Sequence, residues 1–219
     1  MGKNAEHLAR VLRARAGQEF DISTGAGVRR GRIVRVSEAR VEFELGEEVD
    51  QAAAPDLTLL LAIYKFDRME WALEKAVELG ASRIVPLMAQ RTSPHLASAA
   101  GKRVERWRKI ARQAAQQARL ALVPEIAAPA ALKEAVALPA DTRIVLAESE
   151  QQRSLKEILA GRGPGSVALA IGPEGGWTDD ELQHFTGAGW IAASLGHNIL
   201  RAETAAIAAL AIVLAEARS

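Results

Sequence analysis

Two short segments in the C-terminal third of the chain carry the residue types that ligand chemistry uses. The first is Ala170-Ile-Gly-Pro-Glu-Gly-Gly-Trp-Thr-Asp-Asp-Glu-Leu182, in which Gly172, Gly175 and Gly176 follow an apolar run and precede the helix-starting pattern Thr178-Asp-Asp-Glu181. Glycine permits positive φ angles and lets the backbone approach a ligand closely. At the C-terminal end of a parallel strand, that is where α/β proteins place ligand sites. The spacing excludes two familiar phosphate loops, since both the Gly-Lys-Ser/Thr ending and the Gly-x-Gly-x-x-Gly pattern are missing. Taken alone, the segment reads either as a ligand loop or as a generic glycine-rich turn.

The second segment, Leu195-Gly-His-Asn-Ile-Leu-Arg-Ala-Glu-Thr-Ala205, repeats the arrangement: a strand-like run, a glycine, then a helix. Glu203 and Thr204 suit a helix start, where an acid meets the positive end of the dipole and a hydroxyl caps free N–H groups. Arg201 does not, because a cation is disfavoured there. That misfit points to a functional rather than a helix-stabilising role for Arg201.

The elements that must position these segments follow from periodicity. Leu57–Tyr64, Arg83–Met88, Arg143–Ala147, Val167–Ile171 and Trp190–Leu195 are apolar runs of strand length. Between and after them, helices are expected over Asp67–Leu79 (stopped by Gly80), Lys102 to Leu122, Thr178–Thr186 and Ala202–Ala217. Strands that are apolar on both faces and alternate with helices indicate a parallel α/β sheet. The first 54 residues differ. A helix-like start over Met1–Arg15 is followed by short strands over Glu19–Ser23, Val28–Val36 and Ala39–Leu45, punctuated by glycines, which read as a small antiparallel sheet or barrel. Gln51–Pro55 reads as a linker between the two parts. Trp71, Trp107 and Trp190 lie within apolar patterns and are expected in the core, as is Trp177, although it directly follows the glycine loop.

Composition narrows the chemistry. The 219 residues contain no cysteine, which removes thiolate nucleophiles, zinc knuckles, iron–sulfur clusters and disulfides. His95, His184 and His197 show no metal-ligand spacing with carboxylates, so no metal is expected. No secretory leader pattern is visible, and the apolar stretch Ala205–Ala215 is too short to span a bilayer. The chain reads as soluble and cytoplasmic. Formal net charge is +1, yet the charge is segregated. Residues 83–119 hold nine basic residues against the single acid Glu105, residues 1–40 hold nine against four, and the acids gather in Glu42–Asp56. Arg outnumbers Lys 21 to 7, and its planar fork suits phosphates and stacking on bases. Each basic patch reads either as a solvated surface or as an RNA contact.

The two glycine segments together identify a resemblance. Gly172-Pro-Glu-Gly-Gly176 with Leu195-Gly196…Ile199-Leu-Arg-Ala-Glu-Thr-Ala205 resembles the bacterial 16S ribosomal RNA uridine-N3 methyltransferases of the SPOUT superfamily. Agreement extends through Lys65-Phe-Asp-Arg-Met-Glu-Trp-Ala-Leu-Glu-Lys75 with Glu78-Leu-Gly80, and through Pro86…Gln90-Arg-Thr-Ser93. It continues in Arg106-Trp-Arg-Lys-Ile-Ala111…Ala114-Ala-Gln-Gln-Ala-Arg119…Val123-Pro124 and, near the start, His7-Leu…Val11-Leu-Arg13…Gly17. Departures are Ala202, where the family usually has Thr, and a shorter linker over residues 46–56.

The resemblance implies an α/β fold: a SPOUT-type parallel sheet with a C-terminal trefoil knot over residues 55–219, preceded by a small PUA-like β-barrel over residues 1–54. It implies S-adenosyl-L-methionine in the knot, a homodimer with the site near the subunit interface, and 16S ribosomal RNA of the small subunit as substrate. The cofactor residues it implies are Ile171, Gly172, Pro173, Glu174, Gly175, Gly176, Leu195, Gly196, Ile199, Leu200, Arg201, Thr204 and Ala205. Leu146, Ala147 and Glu148, at the end of another strand, are expected to form a third wall. Arg201 is assigned the electrostatic role, stabilising the charge that develops on uracil as N3 loses its proton. Glu174 and Glu203 are assigned as base or as residues orienting Arg201, against the plainer roles of loop-ordering acceptor and first-turn helix acid. His7, Arg10, Arg13, Arg91, Arg112 and Arg119 are the expected RNA contacts. Two alternatives stand beside this reading: another SPOUT reaction such as ribose 2′-O-methylation, and a non-catalytic RNA-binding assembly factor.

Overall fold

The structure is a computed structural model that describes residues 15–24, 27–37, 40–49, 56–161 and 165–217. The chain divides into two compact units, Met1–Ala53 and Ala54–Ser219. His7, Arg10, Arg13, the expected first helix and the Gln51–Pro55 linker lie outside the described residues, apart from Arg15 at the helix's end.

In the first unit, β1 (Glu19–Ser23), β2 (Val28–Val36) and β3 (Val41–Glu48) form an antiparallel sheet in the order β1-β2-β3. The described strands make an open sheet rather than a closed barrel. Cross-strand neighbours carry opposite charge: Asp21 faces Arg30 and Glu19 faces Arg32, each with an ion pair at 3.1–3.2 Å. Val28 and Ile33 are the buried apolar side chains among the described residues here, with Gly31 buried between them. The third strand runs later than its apolar pattern suggests, ending at Glu48 rather than Leu45. The ladder decides its length, because Arg29 still pairs with Glu48 and Gly46 sits inside the strand, where its carbonyl accepts from Arg29 Nε at 2.9 Å.

The second unit is a parallel sheet flanked by helices. Its elements are β4 (Leu57–Ala62), α1 (Phe66–Glu78), β5 (Arg83–Met88), α2 (Pro94–Gln117), β6 (Glu125–Ile126), β7 (Ala130–Ala131), α3 (Leu132–Ala135), β8 (Thr142–Leu146), α4 (Leu155–Leu159), β9 (Val167–Ile171), α5 (Asp179–Gly187), β10 (Ile191–Ala193) and α6 (Ala202–Ala217). The strand order is β10-β8-β9-β4-β5-β6, with β7 also on β5. Alternation along β4 divides the core between the two faces. Leu57, Leu59 and Leu61 pack with Met69, Leu73 and Val77 of α1, Trp107 of α2 and Leu210 and Val213 of α6. Leu60 and Ala62 face the other way, with Val85, Val145 and the aromatic trio Trp177, Phe185 and Trp190.

Three expectations are corrected. Trp71 is 48% exposed, unlike Trp107 and Trp190, because the buried stripe of α1 runs through Met69, Ala72, Leu73, Ala76 and Val77 and Trp71 lies off it. The basic helix α2 begins at Pro94 rather than Lys102, since Ser93-Pro94 supplies an N-cap position and a proline whose missing N–H costs nothing there. It ends at Gln117 rather than Leu122. Arg119 adopts φ +56°, and Leu120 N donates to Ala115 O at 2.9 Å, a left-handed helix stop built on a non-glycine residue. The short elements β6 and α4 have no counterpart among the expected elements, while β7 and α3 fall within the Ala-rich stretch 127–137, which reads as helix or loop.

Candidate functional site

In the sheet, β10, β8 and β9 are neighbours, and the loops leaving their C-terminal ends converge on one cavity of about 560 Å³. This is the end of a parallel sheet at which ligand sites form. The β8 loop brings Leu146, Ala147 and Glu148, the β9 loop brings Ile171 through Trp177, and the β10 loop brings Leu195 through Arg201, with Ala205 behind it. Of the residues assigned to the cofactor, Thr204 is the exception: it is exposed and stands outside the wall.

The β9 loop is fixed from several sides. Gly176 N donates to Pro173 O at 2.8 Å, closing a turn in which Gly176 has φ +69°, a conformation that strains other residues. A Cβ on Gly172 would stand 3.2 Å from the Trp177 ring, so only glycine fits against the indole without displacement. Trp177 in turn donates its Nε1–H to Leu146 O at 2.9 Å, tying the β9 loop to the end of β8. Its ring meets Phe185 edge-on at 5.0 Å, and Phe185 meets Trp190 at 5.1 Å. Trp177 thus belongs to the core and to the cavity wall at once.

The loop after β5 braces the glycine loop from outside. Arg91, expected to contact RNA, lines the cavity and donates from Nη1 to Gly175 O. Its own turn is locked. Gln90 N donates to the buried Glu181 carboxylate at 2.8 Å, and Thr92 donates its hydroxyl to Ile63 O at 3.0 Å. Glu181 also closes the capping box of α5 through Thr178 N at 2.9 Å. One carboxylate therefore caps the helix and holds the neighbouring loop.

The carboxylates assigned to catalysis meet a residue that the sequence reading passed over. Arg68, in the first turn of α1, donates from Nη1 to Glu174 Oε1 at 2.7 Å and stands with Nε 3.9 Å from Glu203 Oε1. Both acids are thus partnered with Arg68 rather than Arg201. Glu203 is 6% exposed, stands outside the cavity wall and leaves Oε2 without a hydrogen-bond partner. Nearby Tyr64 is 3% exposed, with its hydroxyl likewise unpartnered. Burial first, and then the charges of Glu203 and Glu174, push its hydroxyl far above the usual phenol range; Arg68 opposes them. Tyr64 is therefore a neutral donor throughout the physiological range.

The β10 loop is built differently. Gly196 has φ +111°, His197 and Asn198 are exposed, and Ile199 is 82% exposed at the cavity rim. Arg201 lines the cavity, is exposed, and forms no ion pair among the described residues. Its carbonyl accepts from Ala205 N at 2.8 Å, so the residue sits at the start of α6.

On α2 and the turn that ends it, the charges divide. Arg103 and Arg106 pair with Glu70, and Arg108 pairs with Glu105. Arg112 and Arg119 are exposed and make no ion pair among the described residues. No group of His, Cys, Asp and Glu suited to a metal ion occurs among the described residues, nor does any helix long and apolar enough to cross a membrane.

The residues present fit a nucleoside-bearing ligand. The cavity is of the size that takes molecules of several hundred daltons, within the range of roughly 300–1,000 Å³. Its walls combine aliphatic side chains (Leu146, Leu195, Ile199, Leu200) with glycine-bearing backbone that can offer N–H and C=O groups.

Comparison with known proteins agrees with this geometry. Residues 52–214 match the family model of an RNA methyltransferase domain. The ribosomal RNA small subunit methyltransferase E of Synechocystis sp. is 33% identical over 94% of this chain and 68% of its own length. The crystal structure of a ribosomal RNA small subunit methyltransferase E from Neisseria gonorrhoeae bound to S-adenosyl methionine superposes with a TM-score of 0.82 at 30% identity, covering 99% of this chain and 91% of that one. A putative methyltransferase from Legionella pneumophila, in complex with the bound cofactor SAM, gives 0.79 at 30% identity over 97% and 89%. The fold and cavity are thus those of an RNA methyltransferase domain. More closely, the chain belongs to the ribosomal RNA small subunit methyltransferase E family.

Proposed function

We propose that the protein is an S-adenosyl-L-methionine-dependent methyltransferase that methylates N3 of a uridine in 16S ribosomal RNA. The observation that carries this reading is the shared cavity at the ends of β8, β9 and β10, walled by both glycine segments, with Arg201, which forms no ion pair among the described residues, at its edge. Membership of the family supports the cofactor and the RNA class. The uridine-N3 specificity rests on the resemblance carried by residues 172–176 and 195–205.

When bound, S-adenosyl-L-methionine supplies a methyl group on a sulfonium. The chain's own residues position and polarise. Leu146, Leu195, Ile199 and Leu200 would hold the cofactor's adenine by apolar contact, and the backbone around Gly172 and Gly196 would offer it N–H and C=O groups. Arg201 faces the uracil and stabilises the negative charge that forms as the N3–H bond breaks and the N3–methyl bond is made. Of the two carboxylates, Glu174 borders the cavity, which supports assigning it the proton from N3. Glu203 stands behind it and acts on Arg68. Because the two reactants are held together, much of the rate comes from orientation.

In this reading Arg112 and Arg119, with His7, Arg10 and Arg13 outside the described residues, hold RNA phosphates, and Arg91 adds a contact beside the cavity. The N-terminal sheet is part of a PUA-like barrel and the C-terminal segment forms a trefoil knot. The protein works as a cytoplasmic homodimer. The apolar character of α6 on every side, with Thr204 and Ala211 exposed on it, and the exposed Trp71 of the neighbouring α1 support a partner copy there. The deciding experiment incubates the protein with small-subunit RNA and S-adenosyl-L-methionine and identifies the methylated nucleoside by mass spectrometry. N3-methyluridine is expected. A ribose-methylated nucleoside, or no methylation, overturns the reading.

A further inference from the structure

A cation in the first turn of a helix is electrostatically misplaced. Arg68 is such a cation, and its position is explained by what it bridges. It joins Glu174, 106 residues away in the β9 loop, to Glu203 in the first turn of α6. These two segments border the same cavity from different strands. Glu174 is flanked by Pro173 and Gly175, neither of which can anchor the loop through a polar side chain. Besides its own Gly176–Pro173 turn and the Trp177 bond to Leu146, the loop is held from outside by Arg91 at the Gly175 carbonyl and by Arg68 at the Glu174 carboxylate, and Arg68 is the contact that ties it to α6.

Behind Arg68 the anchor is rigid. Glu203 is buried beside the equally buried Tyr64, so the far end of the bridge has little freedom to swing. Its carboxylate depends on Arg68, because a buried charge that loses its partner is strongly disfavoured.

We propose that Arg68 is a positioning residue for the cofactor site: it locks the Gly172–Gly176 loop to the start of α6, so that Glu174 and Arg201 keep a fixed separation across the cavity. Tyr64 and Glu203 form the buried end of that lock. This inference rests on the cavity being the S-adenosyl-L-methionine site. Without the lock, the loop samples other positions and only a fraction of molecules is competent to bind, which lowers apparent affinity by that fraction.

The test is calorimetric titration of S-adenosyl-L-methionine into the wild-type protein and into Arg68→Met, Arg68→Lys, Glu174→Gln and the Arg68→Met/Glu174→Gln double variant. If the wild type fails to bind, the reading of the cavity itself falls. If it binds, Arg68→Met is expected to weaken affinity about tenfold, the size of effect that a loop ordered in a tenth of molecules produces. Arg68→Lys, which keeps the charge but not the planar fork, is expected to recover part of the loss. The double variant should be no weaker than Arg68→Met alone, because both changes cut one bridge. Glu174→Gln approaches the bridge from its solvent side, and should lose affinity with its melting temperature unchanged even if Arg68→Met folds poorly. Wild-type affinity in Arg68→Met or in Glu174→Gln, or losses that multiply in the double variant, would overturn the proposal.

Discussion

The two glycine-bearing walls of the cavity look alike in sequence and differ in construction. The β9 loop is braced throughout: Arg91 holds its backbone, Arg68 its one carboxylate, and Trp177 binds it to the end of β8. The β10 loop presents exposed His197, Asn198 and Ile199, and an Arg201 with no ionic partner among the described residues. One wall is finished by the protein. The other is left with donors and apolar surface that a ligand, RNA or second copy can use. A pre-organised wall facing an unsatisfied one suits a site that must hold a cofactor and still admit a nucleotide.

This contrast is open to attack at several points. Replacing Arg201 by Ala should have the largest consequence: methyl transfer falls by about 10²–10³-fold, as for loss of one preorganised charge stabiliser, while the melting temperature and cofactor affinity hardly change. Steady-state rates alongside calorimetry check it, and retained activity would remove Arg201 from the mechanism. On the braced wall the balance reverses. Trp177→Phe loses the bond to Leu146 O and part of the ring volume, so stability in urea should drop by about 1–2 kcal/mol. The smallest effect belongs to the rim. Ile199→Ser should leave stability within about 0.5 kcal/mol, since the side chain is already in water. Its cofactor affinity should fall about threefold, for the apolar area that a ligand would otherwise cover. Equal stability losses at Trp177 and Ile199 would show that the walls are not different after all.

Much of this arrangement was legible from residue types, and the reasons are local. Glycines after strands, the Thr178-Asp-Asp-Glu181 box and a cation at a helix start are signals that need no tertiary information. Strands β2, β5 and β9 begin and end where their patterns do. Arg68 and Tyr64 escaped because their importance is made wholly by distant partners: nothing near residue 68 announces an acid 106 positions away. Glu203 was visible, yet its orientation was not: its carboxylate approaches Arg68 Nε at 3.9 Å. Trp71 misled because one aromatic in an apolar helix satisfies a pattern without lying on its buried stripe. The elements β6, β7 and α3 span two to four residues, too few to show a period. Helix α4 did carry a readable start, the capping box of Ser154 with Glu157, where Ser154 N donates to Glu157 Oε2 at 2.9 Å.

The place of β4 in the sheet has a consequence for how the chain reaches this state. The strand lies between β5, which follows it closely, and β9, whose Val167 pairs with Leu57 across 110 residues. During synthesis β4 can pair on one side early, but its other edge stays open until residue 171 has left the ribosome. For that interval an apolar strand, Leu57-Thr-Leu-Leu-Leu-Ala62, presents an unpaired edge of the kind that recruits other strands. Folding of the domain is therefore gated by a late, non-local pairing. Slow elongation between β5 and β9 would lengthen exposure of that edge, and chaperone capture of nascent chains should peak there.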